Sequence, residues 1–173
     1  LNDFNPSNYV FAYVGQENKE VTLIIGKEVT RIPANLFNAY YNTQKVNIIS
    51  VEFEEGSICE SIGENAFIDC KSLTSIILPY TIKIIENYAF ADCIGLKEVV
   101  CSNNLNSTGD YAFRNCRNLI DISLGQNLEY IGKSSFSGCQ KLEYIELPNS
   151  LKELGENAFA NCGFTGTLTL PKG

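Results

Sequence analysis

Residues 142–162 read Leu142-Glu143-Tyr144-Ile145-Glu146-Leu147-Pro148-Asn149-Ser150-Leu151-Lys152-Glu153-Leu154-Gly155-Glu156-Asn157-Ala158-Phe159-Ala160-Asn161-Cys162. Leu142, Ile145 and Leu147 space out as a short strand with one buried face does. Pro148 stops that strand, because its nitrogen has no hydrogen to give to a ladder. Leu151 and Leu154 form a second apolar pair, and Gly155 permits a sharp or left-handed backbone step. Ala158, Phe159 and Cys162 stand at i, i+1 and i+4, the spacing of one face of a single helical turn. The unit therefore reads as strand, bend, short helical turn, bend.

The same unit recurs through the chain. Phe67, Phe90, Phe113, Phe136 and Phe159 are each 23 residues apart, and Cys70, Cys93, Cys116, Cys139 and Cys162 keep the same step. Ile76, Val99, Ile122, Ile145 and Leu168 make a strand column, with Leu78, Cys101, Leu124, Leu147 and Leu170 two positions on. Ile62, Ile85, Ile131 and Leu154 make another, interrupted by Thr108; Ala66, Ala89, Ala112 and Ala158 make one interrupted by Ser135. One such turn cannot bury its own apolar face, whereas stacked turns share a continuous core. The expected fold is an α/β solenoid with parallel strands near 21–25, 51–53, 75–78, 98–101, 121–124, 144–147 and 167–170. The rule for parallel crossovers makes it right-handed.

The pattern L-x-x-I-x-L-P-x-x-L-x-x-I-G-x-x-A-F-x-x-C resembles the BspA-like, or Treponema-type, leucine-rich-repeat family over about residues 57–171. The A-F-x-x-C element and the 23-residue step set it apart from other leucine-rich repeats. The resemblance implies a sheet on the concave face and short helical turns on the convex face. It also implies a surface or secreted protein of bacteria or mucosal protists, several of which adhere to host proteins.

Two regions depart from the pattern. Phe37 and Phe67 are 30 residues apart, the extra length falling at Ala39–Lys45 and Glu54–Ser57. Residues 1–20 match no repeat and read as an N-terminal cap, leaving 21–173 as the array. Because Thr167–Pro171 is a strand just begun, the array is expected to be cut mid-repeat. The start Leu1-Asn2-Asp3-Phe4-Asn5-Pro6 has no signal-peptide character, and with no Met in the chain it is expected to be a segment of a larger protein.

Composition narrows the function. A formal net charge of −7 without a local Lys/Arg cluster argues against nucleic acid and anionic membrane as partners. No apolar run approaches the ~18 residues of a membrane span. The chain has no histidine, which removes Ser-His-Asp and Cys-His catalysis and His-containing zinc sites together. No enzymatic activity, cofactor or metal is expected.

The seven cysteines show no C-x-x-C spacing, and the five ladder residues read as small packing groups beside Phe. Pointing the same way into the core, they are expected unpaired, although bridges between neighbouring turns are the alternative in an oxidising compartment. Glu52, Glu54, Glu55 and Glu60 lack a calcium-loop spacing and read as a solvated face. Asn106-Ser107-Thr108 matches a glycosylation sequon.

The expected binding surface is the strand face turned away from the core. Alternation along each strand places Ile77, Glu98, Val100, Asp121, Ser123, Tyr144 and Glu146 there. The expected function is a non-catalytic protein-binding module, an adhesin-type segment at the cell surface or outside it, engaging a host or neighbouring protein. The alternative is a passive stalk that displays another domain.

Overall fold

The computed structural model describes residues 20–38 and 47–171. In chain order the strands are β1 (Glu20–Ile25), β2 (Arg31–Ile32), β3 (Asn47–Phe53), β4 (Ser61–Ile62), β5 (Ser75–Ile77), β6 (Ile84–Ile85), β7 (Glu98–Val100), β8 (Ser107–Thr108), β9 (Asp121–Ser123), β10 (Tyr130–Ile131) and β11 (Glu153–Leu154). The cap read over 1–20 and the insertion at Ala39–Lys45 lie outside the described residues, apart from Glu20 at the start of β1.

Among the described residues all pairing is parallel. β1, β3, β5, β7 and β9, the odd-numbered strands apart from β11, form one side in two pieces, β1-β3 and β5-β7-β9, and β2, β4, β6, β8, β10 and β11 form an unbroken six-stranded sheet on another. In-register pairs such as Ile76↔Val99 and Ile62↔Ile85 join residues of one repeat column, so each column is a physical row along the stack. Segments 144–147 and 167–170, expected as strands, carry no ladder, and the six two-residue strands of the second sheet were not expected.

Between these sides lies a single core. Phe67, Phe90, Phe113 and Phe136 are wholly buried, as are Leu73, Leu96, Leu119 and Leu142. The rings stack face to face along the axis: Phe37–Phe67, Phe67–Phe90, Phe90–Phe113, Phe113–Phe136 and Phe136–Phe159 have centroids 5.6, 5.2, 5.3, 5.2 and 5.4 Å apart. Cys101, placed by its column among leucines, is buried too, as is Cys59. Thr108 is also buried, so the hydroxyl-bearing residue of the Asn106 sequon faces the core.

The expected helical turns are absent: among the described residues there is no helix. In a helix the Phe67 N–H would bond back to the Gly63 carbonyl. It donates instead to Ala89 O of the next turn at 2.8 Å, flanked by Asn65 N to Asn87 O (3.0 Å) and Asp69 N to Ala91 O (2.8 Å). Local bonds are β-turn bonds, Ala66 N to Gly63 O and Cys70 N to Phe67 O, at 3.1 and 3.2 Å. Asn65 and Asp69 sit at φ 54° and 63°, the third-position geometry of type II turns, and a left-handed residue at each stops the helix from propagating. Tyr88, Tyr111, Ser134 and Asn157 repeat the first of these steps, and Asp92, Asn115, Gly138 and Asn161 the second.

Of the sharp or left-handed step expected at Gly155 and its equivalents, the left-handed form is not taken at Gly63, Gly109, Gly132 or Gly155. Gly63, Gly132 and Gly155 serve close approach: a Cβ on Gly132 would lie 2.3 Å from the Gly109 carbonyl carbon. The positive φ falls two residues later, even on tyrosines. There a face-to-face contact between the Tyr88 and Tyr111 rings, 4.7 Å between centroids, offsets the steric cost.

Candidate functional site

The odd-strand face is built by the alternation that buries Ile76, Val99 and Ile122. Their neighbours must point outward. Register places Ser75, Glu98 and Asp121 in one row, and Ile77, Val100 and Ser123 in the next. Ile77 is 70% exposed, Val100 half-buried, and Glu98, Asp121 and Ser123 exposed. Glu98 and Asp121 are direct cross-strand partners, so two like charges sit side by side, an arrangement that costs stability in the unliganded sheet. Tyr144 (70% exposed) and Glu146 lie beyond β9 on the unladdered segment. A groove of about 240 Å³ brings them together with Asp121, Ser123 and Gln126.

The larger opening lies at the other end. β3 and β5 are adjacent without a ladder between them. The gap is a groove of about 500 Å³ lined by Ile77, Tyr80, Phe53, Glu52, Glu54 and Glu55. Only Ile77 of the expected site residues belongs to it. Tyr80, 70% exposed, was missed. The available signal was the extra length at Glu54–Ser57. That segment forms a turn closed by Ser57 N to Glu54 O at 3.1 Å, with Gly56 at φ 76°.

The thiols offer little chemistry. Burial pushes Cys70 and Cys101 up to about 12, and Cys93 and Cys116 also rise, first from burial. A thiol with such a value is not a nucleophile near neutrality. Each ladder thiol donates to the carbonyl of the phenylalanine one turn back: Cys93 to Phe67 at 3.0 Å, Cys116 to Phe90 at 3.2 Å, Cys139 to Phe113 at 3.3 Å and Cys162 to Phe136 at 3.2 Å. Cys162 differs from the rest in being only half-buried, and the neighbouring Cys139 thiol, able to turn its hydrogen to an ionised Cys162, lowers it from the ordinary thiol value.

Glu60 does not join the acidic run in a cation site: Lys83 Nζ holds it at 2.6 Å. Lys133–Glu156 and Lys152–Glu129 likewise link adjacent turns at 3.2 and 2.8 Å, surface pairs of small energetic weight. Among the described residues no group of three or more His, Cys, Asp or Glu is placed to hold a metal, and no helix is long and apolar enough to cross a membrane.

A family model for the BspA type leucine rich repeat region matches residues 60–173 in six copies. The chain belongs to that family. The family is one of repeat proteins and is not generally enzymatic. Among solved structures, the chain is similar to the T. pallidum leucine-rich repeat protein TpLRR, with 26% identity over 80% of this chain and 59% of that one, and a TM-score of 0.61. It is also similar to a Bacteroides ovatus leucine-rich repeat protein, with 27% identity over 83% of this chain and 38% of that one, TM-score 0.68. A leucine rich cell surface protein of Faecalibacterium prausnitzii shares the fold at 21% identity over 80% of this chain and 50% of that one, TM-score 0.51. The chain thus spans 59% and 38% of the first two relatives' lengths. A search of curated proteins returns no match.

Proposed function

We propose that this BspA-type array is a non-catalytic protein-binding segment of a surface or secreted protein, engaging a host or neighbouring protein through the outward rows of the odd-numbered strands. In this reading the rows line the concave side of a right-handed solenoid. The observation that carries it is the make-up of those rows. Glu52, Glu98, Asp121 and Glu146 supply four acids with no Lys or Arg among them, and Ile77 and Tyr144 stand 70% exposed within the polar stripe. Exposed aromatic and aliphatic groups supply most of the energy at interface centres, while aligned charge sets the association rate.

The test begins with capture of ligands from host extracellular proteins on the immobilised chain, followed by surface-plasmon kinetics. Reversal of Asp121→Lys with Glu146→Lys slows association and weakens its dependence on salt; Tyr144→Ala speeds dissociation. A captured ligand whose kinetics are identical in all variants removes the site from this face. Failure to capture any ligand favours the passive stalk.

A further inference from the structure

The groove between β3 and β5 has no counterpart within the neighbouring ladders. β1 pairs with β3 over six registered positions and β5 with β7 over three, yet no ladder joins β3 to β5. The even-numbered sheet runs unbroken past the same point, through β2, β4 and β6. The stack is therefore held closed on one side and open on the other, between the same two turns. At this same point the Glu54–Ser57 turn lengthens the path from β3 to β4.

The opening is amphipathic. Ile77 and Tyr80, each 70% exposed, form an apolar wall, and at about 500 Å³ the groove is in the size range of sites that enclose a ligand group. Glu52, Glu54 and Glu55 add three carboxylates, and no Lys or Arg lines the groove. Glu54 accepts the Lys27 backbone N–H at 2.9 Å, but none of the three carboxylates is in an ion pair among the described residues. An apolar wall beside uncompensated carboxylates matches one type of side chain, a long aliphatic stem with a cationic head. Arginine fits best, because its planar guanidinium bonds carboxylates two at a time and stacks on a tyrosine ring.

We infer that the groove between β3 and β5 is a docking site for an arginine side chain from a basic segment of a protein partner. The stem lies along Ile77 and Tyr80, and the guanidinium is held by Glu52 and Glu55. This rests on the reading of the odd-strand face as protein-binding, and adds to it a specific anchor at the end remote from Tyr144.

The experiment uses fluorescein-labelled hexa-arginine amide as probe at about 150 mM salt, read by fluorescence anisotropy, with hexa-glutamate as the charge control. All substitutions lie on exposed side chains, and unchanged thermal melting of each variant establishes that it is folded. Glu52→Gln with Glu55→Gln weakens hexa-arginine binding at least tenfold, and Tyr80→Ala weakens it at least threefold. Glu129→Gln with Glu153→Gln removes the same charge elsewhere on the chain and changes binding less than twofold. Equal losses in the two double variants mean diffuse charge attraction and overturn the proposal, as does absence of hexa-arginine binding. A loss confined to Asp121→Asn with Glu146→Gln also overturns the groove assignment, while leaving the odd-strand face as the binding surface.

Discussion

The two residues that interrupt the core columns are bonded to each other: Ser135 Oγ donates to Thr108 Oγ1 at 3.2 Å, both side chains buried. Thr108 stands in the Ile column of one turn and Ser135 in the Ala column of the next, and the two hydroxyls satisfy one another across the stack. Ser135→Ala alone strands the Thr108 hydroxyl and costs about 1–3 kcal/mol, whereas Thr108→Val with Ser135→Ala together is close to neutral. A double-mutant cycle by denaturant titration checks this. Additive losses would show that the hydroxyls are not coupled.

Phe113 is wholly buried between two rings of the stack, at 5.3 and 5.2 Å. Phe113→Ala should destabilise by about 3–5 kcal/mol, while Ser123→Ala on the exposed row stays within about 0.5 kcal/mol. Equal unfolding midpoints for the two variants would contradict the inside–outside assignment.

Asn65 adopts φ 54°, a region that costs an L-residue with a Cβ roughly 1–2 kcal/mol. Asparagine and glycine tolerate it better than most. Asn65→Ala should therefore lower stability by about 1 kcal/mol and Asn65→Gly by less. A helical turn at this position would reverse the order, since alanine is the better helix former. Thermal melts of the two variants decide between the geometries.

The buried thiols make the fold sensitive to alkali. In Cys70 and Cys101 burial raises the folded value from 9.0 to about 12, so the unfolded chain releases these protons first. Their contribution to stability is complete below pH 9.0 and is lost as pH rises through about 12. Cys101→Leu, which restores the residue type of its column, should lose less melting temperature between pH 7 and pH 10.5 than the parent chain. A parallel pair of pH curves would refute the assignment.

Thiol labelling should follow position in the ladder. Half-buried Cys162 reacts with iodoacetamide first, and Cys70, Cys93, Cys116 and Cys139 react only as the chain unfolds. Peptide mapping after timed labelling reads the order directly. Uniform labelling of all five in the folded state would rule out the packed ladder.

Which residues are inside was legible from period alone, because register in a solenoid turns a sequence column into a row in space. Ile76, Val99 and Ile122, and the phenylalanines, follow it. The turn geometry was not legible from apolar spacing, since Ala158, Phe159 and Cys162 face the core equally well from one helical turn or from consecutive β-turns. Polar residues held the difference. Asn, Asp and Gly in the column of Asp69 are turn formers, but Tyr88 and Tyr111 masked the companion column of left-handed residues. The even-numbered strands are two residues long, too short for alternation to reveal. Of the candidate site, the outward rows followed from strand alternation. The groove at Tyr80 did not, because it depends on a ladder failing to form between β3 and β5, and that failure is a property of two turns together.

Successive turns are joined by backbone bonds that run along the stacking axis, such as Phe90 N to Ala112 O and Phe113 N to Ser135 O, at 2.8 and 2.7 Å. Load applied between the two ends of the stack therefore falls on one interface at a time and peels it, instead of shearing many at once. Each turn released hands over 23 residues, roughly 75–80 Å when drawn straight. Anchored between two bodies that pull apart, the array would lengthen in discrete steps of that size and re-stack when slack returned. An optical-trap record would register this as a sawtooth with the period of the repeat.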